Sequence, residues 1–157
     1  MGLEVVLEDE HWDALELLAA RAVPALFEHL GVSGDVVVMG CDDARIAGLN
    51  ADFRGKPAPT NVLSWPSEER GADEDGDQPR APTLEELGDI ALAYGTCARE
   101  AAEQGKAFED HVTHLIVHGV LHLLGYDHER DGDAALMEGI ETQILGNLGI
   151  DNPYSFD

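Results

Sequence analysis

Residues 114–128 read His-Leu-Ile-Val-His-Gly-Val-Leu-His-Leu-Leu-Gly-Tyr-Asp-His, and no other stretch constrains the fold and chemistry of this chain as tightly. Four of its seven histidines lie there, at His114, His118, His122 and His128, separated mostly by Leu, Ile and Val. The apolar spacing predicts a helix from about Phe108 to Leu124, and a helix advances about 100° per residue. His118 and His122 then differ by only about 40° in azimuth and about 6 Å along the axis, so both imidazoles point to one side. Gly125 supplies the residue without a Cβ that commonly follows a helix end. The chain can turn there and bring His128 to the same point from a loop.

Three neutral imidazoles around one point make a site for one zinc ion or a neighbouring divalent transition metal. His118, His122 and His128 leave the fourth position of a tetrahedral ion to water, which marks a catalytic rather than a structural site. A bare His-x-x-x-His pair is more often two core or surface histidines of an amphipathic helix. The third histidine after a glycine turn, and Asp127 beside it, favour the metal reading. Three histidines do not choose among zinc, nickel and manganese. His114, one turn earlier, suits three roles: a partner behind the ligands, a hydrogen-bonded helix residue, or a substrate contact. In zincin peptidases a Glu follows the first ligand as general base. Gly119 stands at that position here, so peptidase chemistry of that type is disfavoured.

The remaining chain supplies a scaffold. Leu3–Leu7 reads as a strand with β-branched Val5 and Val6. Residues 11–30 carry apolar positions at helical spacing, with Pro24 expected to kink or divide the helix and Trp12 expected in the core. Val36 to Met39 suits a strand buried on both faces, and Asp42 can cap a helix over Ala44 to Phe53. Arg45 and Arg54, nine residues apart, fall on different faces of it, so one of them faces the site. Residues 60–65 form a strand ended by Pro66, and Gly88 to Tyr94 a fourth. Between them residues 67–86 are acidic, lack periodicity, and read as a solvated loop. Helices are expected over 96–104 and 134–148, with a loosely held tail after Gly149. Four short strands and several helices without a repeat give one α+β domain over residues 1–157, with a single sheet and helices packed on it.

Charge limits the partners. Nine Lys and Arg against 32 Asp and Glu give a formal net charge of -23. That field repels nucleic acid at long range, so any RNA contact must use a local basic patch, whereas a basic ribosomal protein suits the acidic surface. Most of the carboxylates read as a solvated face. Cys41 and Cys97 form no Cys-x-x-Cys unit and read as buried thiols of a reducing compartment. No basic leader and no run of 18 apolar residues is present, so a cytoplasmic protein without membrane partners is expected.

The segment His118-Gly-Val-Leu-His122-Leu-Leu-Gly125-Tyr126-Asp127-His128 resembles the HGxLHLxGYDH signature of the YbeY family, with every fixed position present. A second block, from Leu49-Asn50 through Arg54 to Pro59-Thr60-Asn61-Val62-Leu63-Ser64-Trp65-Pro66, is similar to that family's other motif, and Leu87-Gly88-Asp89-Ile90 is a third short match. The resemblance implies a mixed four-stranded sheet with a metal in a cleft between sheet and helices. It implies a zinc-dependent endoribonuclease that cleaves single-stranded RNA, matures ribosomal RNA at the small-subunit 3′ end and serves ribosome quality control. No DNA substrate is expected. His118, His122 and His128 become the metal ligands and Arg54 the catalytic residue that stabilises charge on the phosphate oxygens. Read from the sequence alone, Arg54 serves equally as a surface ion-pair partner of Asp52. Asp127 suits a role in orienting a ligand histidine, and Lys56 and Arg45 suit RNA steering. Two other readings compete: a different zinc hydrolase, and a non-catalytic ribosome-associated factor containing a metal. Binding of single-stranded RNA through phosphate contacts is expected to weaken as salt rises, and a salt series of the dissociation constant measures it.

Overall fold

The apolar runs around Val38 and Leu92 build neighbouring central strands, because each buries side chains on both faces. The computed structural model describes residues 2–56, 58–83 and 85–154. Pro57 of the Arg54–Pro66 block, Leu84 of the acidic loop and the last three tail residues lie outside these. The elements run β1 (Leu3–Leu7), α1 (Leu15–Leu30), β2 (Asp35–Cys41), α2 (Asp43–Arg54), β3 (Val62–Pro66), β4 (Glu86–Ala93), α3 (Tyr94–Gln104), α4 (Phe108–Leu123) and α5 (Asp131–Asn147). The sheet order is β1-β2-β4-β3. β1, β2 and β4 are parallel and β3 pairs antiparallel with β4, giving the mixed four-stranded sheet of an α+β fold.

Side chains alternate across the central strands. Val36, Val38, Ile90 and Leu92 enter the main core with α1, α4 and α5, while Cys41, Ala91 and Ala93 meet Ile46 of α2 on the opposite face. Trp12 is buried in the main core and donates its indole N–H to the Cys41 carbonyl at 2.9 Å. Asp42 caps α2 by accepting the Arg45 N–H at 2.7 Å, as its position predicts. α1 begins at Leu15 rather than near residue 11, because Asp9 holds the N–H groups of His11 and Trp12 in a turn. Pro24 does not divide α1. Its ring and Ala20, whose carbonyl loses a donor, both face water, so solvent satisfies the orphaned oxygen.

The acidic loop departs from expectation. Arg70 is 2% exposed and donates to the Leu123 carbonyl at 2.5 Å, to Ser67 at 3.1 Å and to Glu68 at 2.9 Å. Carbonyls in the last turn of a helix have no partner within it, so Arg70 satisfies the end of α4. Gly125, at φ +102°, leaves α4 where an added Cβ would stand 2.7 Å from the Arg70 backbone. Glycine therefore turns the chain toward His128 and lets the loop pass. Further along, Asp75 accepts the Asp133 N–H at 2.8 Å in the first turn of α5, and Arg130 donates to the Ala72 and Asp73 carbonyls, each at 2.8 Å. This cap from a distant loop explains why α5 starts three residues before its apolar spacing predicts. Residues 67–83 are thus pinned, with solvated carboxylates on a held backbone.

The described part of the tail is held as well. Ile150 packs on the core, Lys106 donates to the Pro153 carbonyl at 3.4 Å, and Tyr154 reaches Glu141. Among the described residues no helix is long and apolar enough to cross a membrane. Arg70→Met keeps the side-chain stem and removes its donors, leaving the Leu123 carbonyl buried without its arginine. A loss of about 2–4 kcal/mol in urea denaturation is expected, with faster proteolysis between residues 71 and 83. An unchanged midpoint would show that the loop is held by other contacts.

Candidate metal centre

α4 lies on the sheet through a glycine. A Cβ added at Gly119 would meet Ile90 and Val62 at 3.2 Å, and the Gly119 carbonyl accepts the Ser64 hydroxyl at 3.2 Å. A Glu there would have to press Ile90 and Val62 aside, so the packing as well as the sequence disfavours the base of a zincin. With that face packed, the neighbouring stripe of α4 carries His114 and His118 to a cleft shared with Glu141 and Tyr154, and His118 and His122 to a second cleft beside β3.

The structure brings the three predicted ligands together. Their donor atoms all lie within 4.8 Å of one another. His118 Nε2 and His122 Nε2 are 3.1 Å apart, and the His128 ring centroid lies 5.3 and 5.2 Å from those of His118 and His122. Donors about 2.0–2.1 Å from one tetrahedral ion stand roughly 3.3 Å from each other, so the spacing and the all-nitrogen donor set fit a metal. Burial first, then the charges of His118 and His128, push the His122 imidazole down to about 4. The ring is therefore neutral at ordinary pH, the form that binds a metal.

Behind the triad stands a residue that the sequence reading did not single out. Glu141 lies in the buried stripe of α5 with Met137, Ile140, Ile144 and Leu145, and is 0% exposed. Its Oε2 accepts from His114 Nε2 at 2.8 Å and from His118 Nδ1 at 3.1 Å, and its Oε1 accepts the Tyr154 hydroxyl at 2.7 Å. Burial pushes this carboxyl up, but the hydrogen bonds and charges of His114 and His118 outweigh it and hold Glu141 below the usual carboxylate range. The hydrogen-bond pattern thus assigns the His118 proton to Nδ1 and leaves Nε2 aimed at His122. His114 acts behind the triad, through Glu141. A second grouping of His114, His118 and Glu141 also converges, but its carboxylate already accepts three hydrogen bonds. The signal in the sequence was a carboxylate set among Met137, Ile140, Ile144 and Leu145 on the apolar stripe of α5.

Arg54, at the last turn of α2, lines a cleft of about 420 Å³ with His118, His122 and His128. Among the described residues it forms no ion pair, so the Asp52 partnership is not made. Arg45 instead meets Glu8 at 3.1 Å and belongs to another face. Asp127 accepts the backbone N–H of His128 at 2.7 Å, so it shapes the turn rather than bonding a ligand ring.

A mixed sheet carrying a His/Glu group able to hold a metal ion defines the class of protein. A sequence model described as endoribonuclease YbeY matches residues 7–149. The chain is 56% identical over 165 aligned positions to the endoribonuclease YbeY of Ruegeria pomeroyi, covering 100% of both chains. It is 59% identical over 155 positions to that of Paracoccus denitrificans, covering 97% of this chain and 89% of the relative. The chain belongs to the YbeY family. A Thermotoga maritima protein of known solution structure shares the fold, with a TM-score of 0.58 at 22% identity over 98% of this chain and 99% of that one.

The depressed His122 imidazole gives a pH dependence. Between about pH 6.5 and 4 the unfolded chain binds a proton at this residue that the folded chain does not, so stability is present above 6.5 and lost as pH falls. For metal-free protein the urea midpoint should drop from pH 7 to 4.5, and drop less in His122→Gln. An equal drop in both would remove His122 as a cause.

Proposed function

We propose that this chain is a zinc-dependent endoribonuclease that cuts single-stranded RNA during ribosomal RNA maturation, at the small-subunit 3′ end, and in ribosome quality control. The observation that carries the reading is the convergence of Arg54 and three imidazoles on one cleft. Family membership supports RNA as the substrate class. His118, His122 and His128 are the residues that would hold the ion, and three imidazoles with an open fourth position are compatible with a catalytic zinc as with neighbouring divalent metals. When bound, the ion supplies Lewis acidity toward a phosphoryl oxygen and a water acidified toward neutral pH.

The protein's own residues do the rest. Arg54 projects a planar fork that donates two parallel hydrogen bonds to the non-bridging phosphate oxygens as their charge grows. Glu141 keeps the His118 ring in one tautomer and one orientation. Asp127 sets the turn that delivers His128. With a net charge of -23, the chain grips RNA only locally, and its acidic exterior suits basic ribosomal proteins in the cytoplasm.

The test is cleavage of a labelled single-stranded RNA, with metal content measured on the same samples. His118→Ala should lose both ion and cleavage. Arg54→Ala should retain the ion and cut roughly 10²–10³-fold more slowly, the size of a lost oxyanion donor. A chelator should abolish cleavage and added zinc restore it. A parent protein that holds its ion yet cuts no faster than a background surviving both substitutions is instead a non-catalytic ribosome-associated factor.

A further inference from the structure

We infer that Phe53 is a stacking platform that takes one unpaired nucleobase beside the phosphate gripped by Arg54. This rests on the RNA-cleavage reading above and adds a residue that selects unpaired strands. Phe53 is 58% exposed, and of the three exposed large hydrophobic residues among the described ones it alone is aromatic. A single exposed apolar side chain is ordinary on a protein surface. The position of this one is not: it precedes Arg54 in the last turn of α2 and lines the same cleft as His118, His122 and His128. Trp65 of β3 holds the ring, with centroids 5.6 Å apart and planes at 68°, and Trp65 itself packs on the core beneath α2. One tilted contact of that kind fixes the ring and leaves most of its surface open to the cleft.

Electrostatics makes a neutral contact necessary. Asp127 and Glu129 line the cleft with Arg54, in a chain whose net charge is -23. Within the cleft lining, phosphate attraction therefore comes from Arg54 and the metal group alone, and a strand gains from another source of affinity. Base stacking on an aromatic ring is insensitive to net charge and tolerant of sequence. It also discriminates by structure, because a base within a duplex is already stacked and paired, whereas an unpaired base can splay onto a protein ring. Phe53 and Arg54 both line this cleft, so a base on one and its phosphate on the other lie within reach of a single nucleotide.

The experiment uses the full chain and a single-stranded RNA of defined length, intact or carrying one abasic nucleotide at successive positions, read by equilibrium binding and by cleavage. In the parent, an abasic nucleotide at one position next to the cleavage site should weaken binding roughly five- to hundredfold, the size of one base–aromatic stack. Phe53→Ala should show a loss of similar size on intact RNA and no additional loss on that abasic RNA. Phe53→Tyr should retain affinity, and Phe53→Leu, which keeps apolar bulk without a π face, should not. Thermal melts identify any variant that fails to fold, and the Leu and Tyr variants then carry the comparison. Full affinity in Phe53→Leu, or equal penalties from abasic RNA in parent and Phe53→Ala, overturns the inference. A parent that binds with this pattern but never cuts leaves the stack intact and removes the nuclease reading instead.

Discussion

The Glu141 carboxylate is the constraint on which the site depends. An ionised carboxylate with no exposure is costly unless its oxygens are fully bonded, and here His114, His118 and Tyr154 all donate to it. Those three donors come from α4 and from the segment after α5, so satisfying one buried charge sets how both lie against α5. The same bonds set the His118 tautomer. A metal site of this kind needs lone pairs that already face one another, and the 3.1 Å approach of His118 and His122 records that preparation.

Around this centre the fold positions the elements that line the cleft. Gly119 brings α4 down onto β3 and β4, and the stripe beside it carries the histidines. Arg70 closes the C-terminal carbonyls of α4 from the acidic loop, and Gly125 gives the loop room while aiming the chain at His128. α2 contributes from the other side of the sheet: its capped start fixes its register, and its last turn delivers Phe53 and Arg54 to the rim. The side chains that line the cleft thus come from elements held by buried contacts, while the solvated carboxylates carry the charge.

Much of this was legible in the sequence where the controlling interaction is local. His118 and His122 are related by helix geometry, Gly125 and His128 follow in the turn within the same 11 residues, and Asp42 caps a helix that begins at its neighbour. The strands around Val38 and Leu92 declared themselves by short apolar runs. What stayed hidden depends on pairing across long separations. Glu141 lies 23 residues from His118, Arg70 lies 53 from Leu123, and Asp75 lies 58 from Asp133. A buried Glu and a buried Arg look like surface charges until their partners are placed. Hence the acidic loop read as solvated and the tail as loosely held, although the loop and the described part of the tail are tied to the core. Arg54 was an intermediate case: its neighbour Asp52 offered an ion pair that the folded chain does not make.

The most direct measurement is a calorimetric titration of metal-free protein with zinc, beside Glu141→Gln checked by circular dichroism for an intact fold. The parent should bind one ion, and Glu141→Gln should bind one ion about 10–100-fold more weakly, because its His118 ring is no longer held by a carboxylate. Equal affinity in the two proteins, or a parent that binds no ion, would contradict the account at its centre.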